Sequence, residues 1–339
     1  MNSRQRMIAA FQFAGPDRLP VFYHASTAGL YVHGRKLLDL FRAYPPDNAV
    51  TFEAIPLPPP GTVDARGQYH EIRADEWGTV WDYRIFGVAG LPHRYPIEAW
   101  DAPLEFPPVP AIGSEQFLKD WERVQAQRRN HLVFDGWIGL FEKLHALRPF
   151  EEVLMDLADR KPSLLAFLDR LTEYYRRQIE YLLAIGTDVI MFADDWGAQT
   201  SLLVAPKVFR EVYKPRLRQL MALVHGSGAK VFYHSCGTVH PLYRDLVEIG
   251  INGLWHQIAL YDAEQFAREA AENRTVLFLH MDRQYLVPRS TPREITETVK
   301  RYADIHRRLG GGAILYVEIE NDAPFENVEA LITAAHRYA

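Results

Sequence analysis

Cysteine is nearly absent: Cys236 is the only one in 339 residues. The chain therefore holds no internal disulfide and no metal site built from several thiolates, a pattern that fits a reducing cytoplasm. Long apolar runs are missing as well, none approaching the roughly 18 residues of a membrane span, so no integral membrane protein is expected. Nor is there an excess of positive charge. The 38 Lys and Arg residues are outnumbered by 43 Asp and Glu, for a net charge of −5. The basic residues are also scattered, which leaves no electrostatic footprint for nucleic acid. No Gly-x-Gly-x-x-Gly follows an apolar strand, and neither a Walker P-loop nor a Gly-x-Ser-x-Gly elbow occurs. Dinucleotide, nucleoside-triphosphate and serine-hydrolase chemistry thus lose support. Heptads, solenoid repeats and low-complexity tracts are absent too.

What is present is the composition of a globular protein, 48% hydrophobic and 24% charged. Arg4 and Arg6 followed by the apolar stretch 7–14 resemble a signal peptide only superficially. Gln12 interrupts the run, no small-residue cleavage pattern follows, and Met7, Ile8 and Phe11 at helical spacing point to an amphipathic helix. Eight short apolar segments end in polar residues: 19–24, 49–55, 131–135, 188–194, 229–235, 253–257, 275–281 and 313–318. The intervals 149–185, 204–228, 240–250, 262–273 and 292–310 read as helices, with Gly226, Gly228 and Gly250 where helices should stop. Repeated strand–helix–strand units require right-handed crossovers and a parallel sheet, and eight of them close most naturally as a (β/α)8 TIM barrel. A doubly wound sheet is the alternative. The Pro-rich stretch between the second and third strands reads as an insertion at about 56–125. Within it residues 68–84 form a predicted β-hairpin, packed over one end of the barrel as a lid. A single domain over 1–339 is the simplest organisation.

Barrel enzymes work at the C-terminal ends of their strands, so the polar residues closing each apolar run are the candidates. They are Asp135, Asp194, Asp195, His234, Cys236, His256, Gln257, His280, Asp282, Glu318 and Glu320. The sharpest element is KVFYHSCG, where strand alternation turns His234 and Cys236 to one side and Gly237 permits a tight turn. A small core cysteine beside a satisfied histidine would read the same. A third ligand is offered by Glu318 or Glu320 in ILYVEIEND. A His, Cys, Glu set would leave a zinc ion its fourth position open and its charge balanced. Asp194 and Asp195, in ADDWGAQ, are rival ligands or supports, and because neighbours on a strand face opposite ways only one can look inward. The two aspartates are general acid or base candidates, and Gln199 joins them as a candidate catalytic residue. Trp137, Trp196, Tyr233 and Trp255 are candidate pocket walls that fit a hydrophobic core equally well.

These segments also carry a resemblance. AFQFAGPDRLPV, DEWGTVW, FADDWGAQTSLLVAPKVFREVYKPRL, HGSGAKVFYHSCGTVHPL and GGGAILYVEIENDAPFENVEAL together resemble the uroporphyrinogen decarboxylase superfamily, and within it the cobalamin-dependent methyltransferases. The resemblance implies a (β/α)8 barrel with its pocket at the strand C-termini. The arginines with which the decarboxylases grip a tetrapyrrole are missing from PVFYHASTAGLYVHGR, where only Arg35 remains. The methyltransferase branch instead holds zinc through His-x-Cys, matched by His234 and Cys236, and a distant second cysteine that this chain lacks. Aligning APFEN with the family's C-terminal motif puts Val317 at that place, and a shift of one residue makes Glu318 the substitute. The expectation is thus a zinc-dependent methyltransferase moving a methyl group between a small O-, N- or S-methyl compound and a corrinoid on a partner protein. His234, Cys236 and Glu318 would bind the metal, and Asp194, Asp195 and Gln199 would assist the chemistry. Asp135, Trp196, Tyr233, His256, Gln257 and Asp282 would line the substrate site. A metal-independent decarboxylase and a catalytically silent ligand-binding barrel are the alternatives.

Overall fold

Seven of the eight apolar segments fold as the parallel strands of one curled sheet. The computed structural model describes residues 1–339. Its strands in chain order are β1 (Val21–Tyr23), β2 (Glu71–Ala74), β3 (Val80–Tyr83), β4 (Leu91–Arg94), β5 (Phe134–Ile138), β6 (Val189–Ala193), β7 (Lys230–Ser235), β8 (Gly253–His256), β9 (Val276–His280) and β10 (Ala313–Val317). The large sheet runs β1-β10-β9-β8-β7-β6-β5, and every pair in it is parallel. Helices fill the crossovers, as a TIM-like fold requires.

The expected strand over residues 49–55 does not form, so the sheet holds seven strands rather than eight. The reason lies in Asp47 and Asn48, whose side chains occupy the free edge of β1. Asp47 Oδ2 accepts the Val21 N–H at 2.8 Å, and Asn48 Oδ1 accepts the Tyr23 N–H at 2.8 Å while its Nδ2 donates to the Tyr23 carbonyl at 3.0 Å. With that edge already satisfied, and with prolines at 56 and 58–60 unable to donate, no ladder is left to build. Across the gap, the Phe22 and Phe134 rings meet edge to face at 5.2 Å.

Period-two alternation sets the interior. Met191, Phe232, Phe278 and Tyr316 belong to one buried cluster, with Phe22, Phe134 and Trp255 packed against it. Gly253 makes room for this layer, since a Cβ there would lie 2.2 Å from the Phe232 ring. The N-terminal helix Ser3–Phe11, started by an Asn2/Gln5 capping box, closes the end where the strands begin. Met7 is fully buried, and Phe11 sits 6.2 Å from both Phe134 and Phe232. Arg4 clamps Asp188, just before β6, with two bonds of 2.6 and 2.8 Å. One end is therefore sealed, and the C-terminal ends of the strands remain open for a site.

The interval 149–185 divides into helices Phe150–Ala158 and Pro162–Ile185, parted at Arg160, whose φ is +52°. The interval 204–228 passes through a π-turn, Phe209–Tyr213, that ends two residues before Pro215, whose missing N–H breaks the regular ladder. The predicted hairpin is present as antiparallel β2 and β3, extended by β4. Asp75 shapes its turn by accepting the N–H groups of Trp77 and Thr79, each at 2.9 Å. Trp77 then buries itself against Tyr174 at 5.1 Å, fastening the small sheet to helix Pro162–Ile185. Helix Glu115–Arg128 runs through position 125, the expected end of the Pro-rich insertion.

Candidate metal and substrate site

On β7 the alternation stacks Phe232, His234 and Cys236 on the inward face, from core to mouth. On β6 it does the same for Met191, Ala193 and Asp195. The parallel register pairs Ala193 with His234, so Asp195 arrives level with Cys236. Two glycines let the following loops touch. A Cβ on Gly237 (φ +68°) would fall 1.9 Å from the Gly197 carbonyl oxygen, and one on Gly197 would fall 2.4 Å from the Thr238 nitrogen. The Thr238 N–H donates to the Ala198 carbonyl at 2.8 Å, locking the two loops together.

Asp195, His234 and Cys236 consequently present three donor atoms within 4.8 Å of one another. His234 Nε2 lies 3.5 Å from Cys236 Sγ and 3.4 Å from Asp195 Oδ1. Asp195 Oδ1 also accepts the Cys236 N–H at 2.7 Å. Burial pushes the Asp195 carboxyl up, but its contacts with His234 and with the Cys236 N–H outweigh burial and hold it below the usual carboxylate range. Burial, and then the Asp195 charge, raise the Cys236 thiol to about 12.

Glu318, the expected third ligand, is not part of this trio. Strand β10 lies three positions from β7 in the sheet, or about 14 Å along the wall at roughly 4.8 Å per strand. Glu318 instead faces the same cavity from the other side, with Oε1 3.1 Å from His24 Nδ1 and Oε2 3.7 Å from His280 Nε2. The cavity measures about 500 Å³. Trp137 and Trp255 wall it, Trp137 stacked on His234 at a centroid distance of 5.6 Å and Trp255 tilted against it at 4.1 Å. His256 and Gln257 are also among its lining residues. The His256 ring is buried beside Phe266 at 4.8 Å with neither nitrogen hydrogen-bonded, and burial pushes its pKa down to about 3.

The other expected site residues lie elsewhere. Asp194 is fully buried behind the strand, where its carboxylate accepts the N–H groups of Leu140, Phe141 and Glu142 at 3.2, 2.7 and 2.9 Å. It anchors the start of helix Leu140–Leu147, and burial pushes its pKa up against those donors. Trp196 and Tyr233 are fully buried on the same outer layer, joined by a 2.8 Å bond from the indole N–H to the phenol oxygen. They are core and not pocket wall, because Tyr233 shares the outward parity of Val231 and Ser235. Asp135 accepts its neighbour Gly136's N–H at 2.8 Å, outside the cavity. Asp282 shapes a turn by accepting the Gln284 N–H at 2.8 Å and, with Gln199, borders a smaller adjoining pocket. Gln199 reaches the main cavity only through its 3.0 Å bond to Gln257.

Several cavity residues have no role assigned from the sequence, among them His24, Ser26 and Arg283. His24 is the polar residue closing the first apolar run, so the strand-end rule could have found it. Ser26, whose hydroxyl accepts the Ile319 N–H at 2.9 Å, and Arg283, bonded to Glu320, gave no comparable local signal.

A parallel, TIM-like α/β sheet with a His-Cys-carboxylate cluster at its open end is thus the class of protein defined by fold and site. The family model for uroporphyrinogen decarboxylase (URO-D) matches residues 145–338, and the chain belongs to that family. Among solved structures, a methyltransferase from Methanosarcina mazei aligns over 100% of this chain and 99% of its own, with a TM-score of 0.62 and 21% identity. At that identity the likeness is one of fold. A zinc-bound IolI protein aligns over 67% of this chain and 81% of its own, at a TM-score of 0.40 and 12% identity. A B12-independent methionine synthase from Shewanella sp. W3-18-1 aligns over 82% and 75%, at 0.42 and 10%. Both fall below the level at which a likeness carries weight. No curated protein matches the chain significantly. No helix is long and apolar enough to cross a membrane.

Proposed function

We propose that this chain is a zinc-dependent methyltransferase, with the metal held by Asp195, His234 and Cys236 rather than through Glu318. The observation that carries the reading is metric. A tetrahedral ion with ligand bonds of about 2.0–2.3 Å keeps its donor atoms about 3.3–3.6 Å apart. His234 Nε2 already stands 3.5 Å from the sulfur and 3.4 Å from the carboxylate oxygen. A thiolate and a carboxylate also match the charge of a divalent ion. Zinc bound there would supply Lewis acidity to the sulfur, oxygen or nitrogen atom that gives or receives the methyl group, with a corrinoid on a partner protein at the other end of the transfer.

The chain's own residues supply the setting. Asp195 fixes the Cys236 backbone and the His234 ring together, so the donor set is organised before anything binds. Trp137 stacks on the imidazole and Trp255 packs against it at a tilt, so two indoles fix the His234 ring beside the cavity. A decarboxylase acting on a polycarboxylate finds less support. Arg283 is the one guanidinium lining the cavity, and it is paired with Glu320.

Elemental mass spectrometry of protein purified without added metal tests this directly. About one zinc per chain is expected, lost in C236A, much reduced in D195N and retained in E318Q. Because Cys236 lies at the strand mouth, C236A should stay folded and lose less than about 1.5 kcal/mol. Metal-free wild-type protein that still transfers methyl groups would overturn the reading, as would loss of zinc in E318Q with full retention in D195N.

A further inference from the structure

Opposite the metal trio, the ends of β1, β9 and β10 gather a second polar group: His24, His280 and Glu318, with Arg283 and Glu320 beside them. We propose that this pole binds an ammonium group, so that the cavity selects a small organic cation. The inference deepens the methyltransferase reading by choosing one substrate class, and only the placement of the ligand's other end rests on that reading.

The charges do not balance as they stand. Two carboxylates and one guanidinium line this half of the cavity, and Arg283 is already bonded to Glu320. Glu318 is left with no Lys or Arg nitrogen within 4.0 Å, and its two near neighbours are histidines. Its side chain is 16% exposed, so water compensates it poorly.

His280 is not arranged to supply the missing charge. The indole N–H of Trp255 points at His280 Nδ1 from 3.1 Å. An indole can only donate, so His280 Nδ1 must accept, and the ring's single proton resides on Nε2. Protonating Nδ1 would set two N–H groups against each other. His280 therefore offers Glu318 a dipole and no charge, and its Nε2 is buried without a bonded partner. His24 Nδ1, 3.1 Å from Glu318 Oε1, also faces the Ser26 N–H at 3.2 Å, and its side chain is 46% exposed, so this contact compensates the carboxylate only weakly.

Burying a carboxylate without a compensating cation is costly, and a ligand ammonium placed against Glu318 removes that cost. Trp137 and Trp255 also line the cavity, and aromatic rings attract cations. The preference does not depend on the state of the metal trio. With a divalent ion present, the Cys236 thiolate and the Asp195 carboxylate cancel its charge, and around Glu318 two carboxylates still face one guanidinium. Without metal, the Asp195 carboxylate adds to the negative field. A fitting ligand carries its ammonium at the Glu318 end and its reacting heteroatom at the Cys236 end.

Calorimetry on the full chain, metal-loaded and metal-free, separates the possibilities. The probes are cysteamine, propanethiol and mercaptoacetate, which share a thiol and differ in charge. Choline and its uncharged carbon isostere dimethylbutanol form a second pair that needs no metal–sulfur contact. Cysteamine should bind roughly tenfold or more tighter than propanethiol, as expected for a hydrogen bond to a charged group, with mercaptoacetate weakest. Choline should outbind dimethylbutanol in either metal state. E318Q should keep its zinc and lose the cysteamine advantage, while E320Q, which frees Arg283, should raise the affinity for mercaptoacetate. Equal or stronger binding of the neutral or anionic probes to wild-type protein overturns the proposal. Loss of zinc together with cysteamine binding in E318Q does so as well, because Glu318 would then be a metal ligand. If the protein holds no zinc yet prefers choline, the zinc reading fails and the cation site stands.

Discussion

Asp194 and Asp195 are adjacent in the chain and chemically identical, yet they do unrelated work. Asp194 turns outward into the layer between sheet and helices, where it meets three backbone N–H groups and the Tyr233 hydroxyl and is wholly buried. Asp195 turns inward and reaches His234 and the Cys236 N–H. The outer layer, with Trp196 and Tyr233, holds the barrel wall in place. The inner layer, with His234, Cys236 and Trp255, presents chemistry to a cavity. Side-chain parity on β6 and β7 decides which task each residue has, so a polar residue at a strand end is as readily a wall fastening as a site residue.

Substitutions on the two layers should separate stability from binding. The largest effect is expected from Asp194→Ala, which strands three buried helix N–H groups and should cost about 3 kcal/mol or more in denaturant unfolding. Zinc should still bind to whatever fraction remains folded. A D194A protein of normal stability that had lost its metal would invert the assignment of the two layers.

A second expectation concerns acid. Burial pushes His306, on helix Pro292–Arg308, down to about 4. Its folded-state pKa is thus below the ordinary histidine value near 6.5 that applies to the unfolded chain. Above that value neither state binds the proton and stability is unaffected. As pH falls below it the unfolded state protonates first, so stability declines until the folded pKa is reached. By pH 5 the loss from this one group should be about 2 kcal/mol. Urea titrations at pH 7 and pH 5 read it, and His306→Leu should remove that part of the slope. An unchanged slope in the variant would assign the acid sensitivity to other buried groups.

The smallest effects belong to residues placed on neither layer. Gln199→Ala and Asp135→Ala should each change stability by less than about 0.5 kcal/mol and leave zinc content unaltered. A clear loss of zinc in either would extend the site beyond the cavity described here.

Much of this was legible beforehand. Seven parallel strands lie where short apolar runs end in polar residues, and the predicted hairpin is present. The eighth strand failed because Asp47 and Asn48 bond to β1 through their side chains, an interaction with no trace in hydrophobic patterning. His234 and Cys236 were legible as a pair from their spacing. Tyr233 was assigned to the pocket although the same alternation that joins His234 to Cys236 turns it away. Trp196 likewise belongs to the aromatic packing with Phe141, at a centroid distance of 5.1 Å. Glu318 is the expected third ligand and the structure puts Asp195 there instead, a choice that local sequence does not make because Asp194, Asp195, Glu318 and Glu320 are all strand-end acids.

The sequence by itself determined parity. Successive side chains on a strand alternate, so His234 and Cys236 share a face that Tyr233 cannot, only one of Asp194 and Asp195 looks inward, and glycines at 197 and 237 allow the intervening loops to meet. Only the tertiary structure decided distance. Parallel pairing of Ala193 with His234 brings Asp195 level with Cys236 on the neighbouring strand. Glu318, three strands away, is left to the opposite pole of the cavity. Strand order and register are set by packing between segments far apart in the chain, which local composition does not encode.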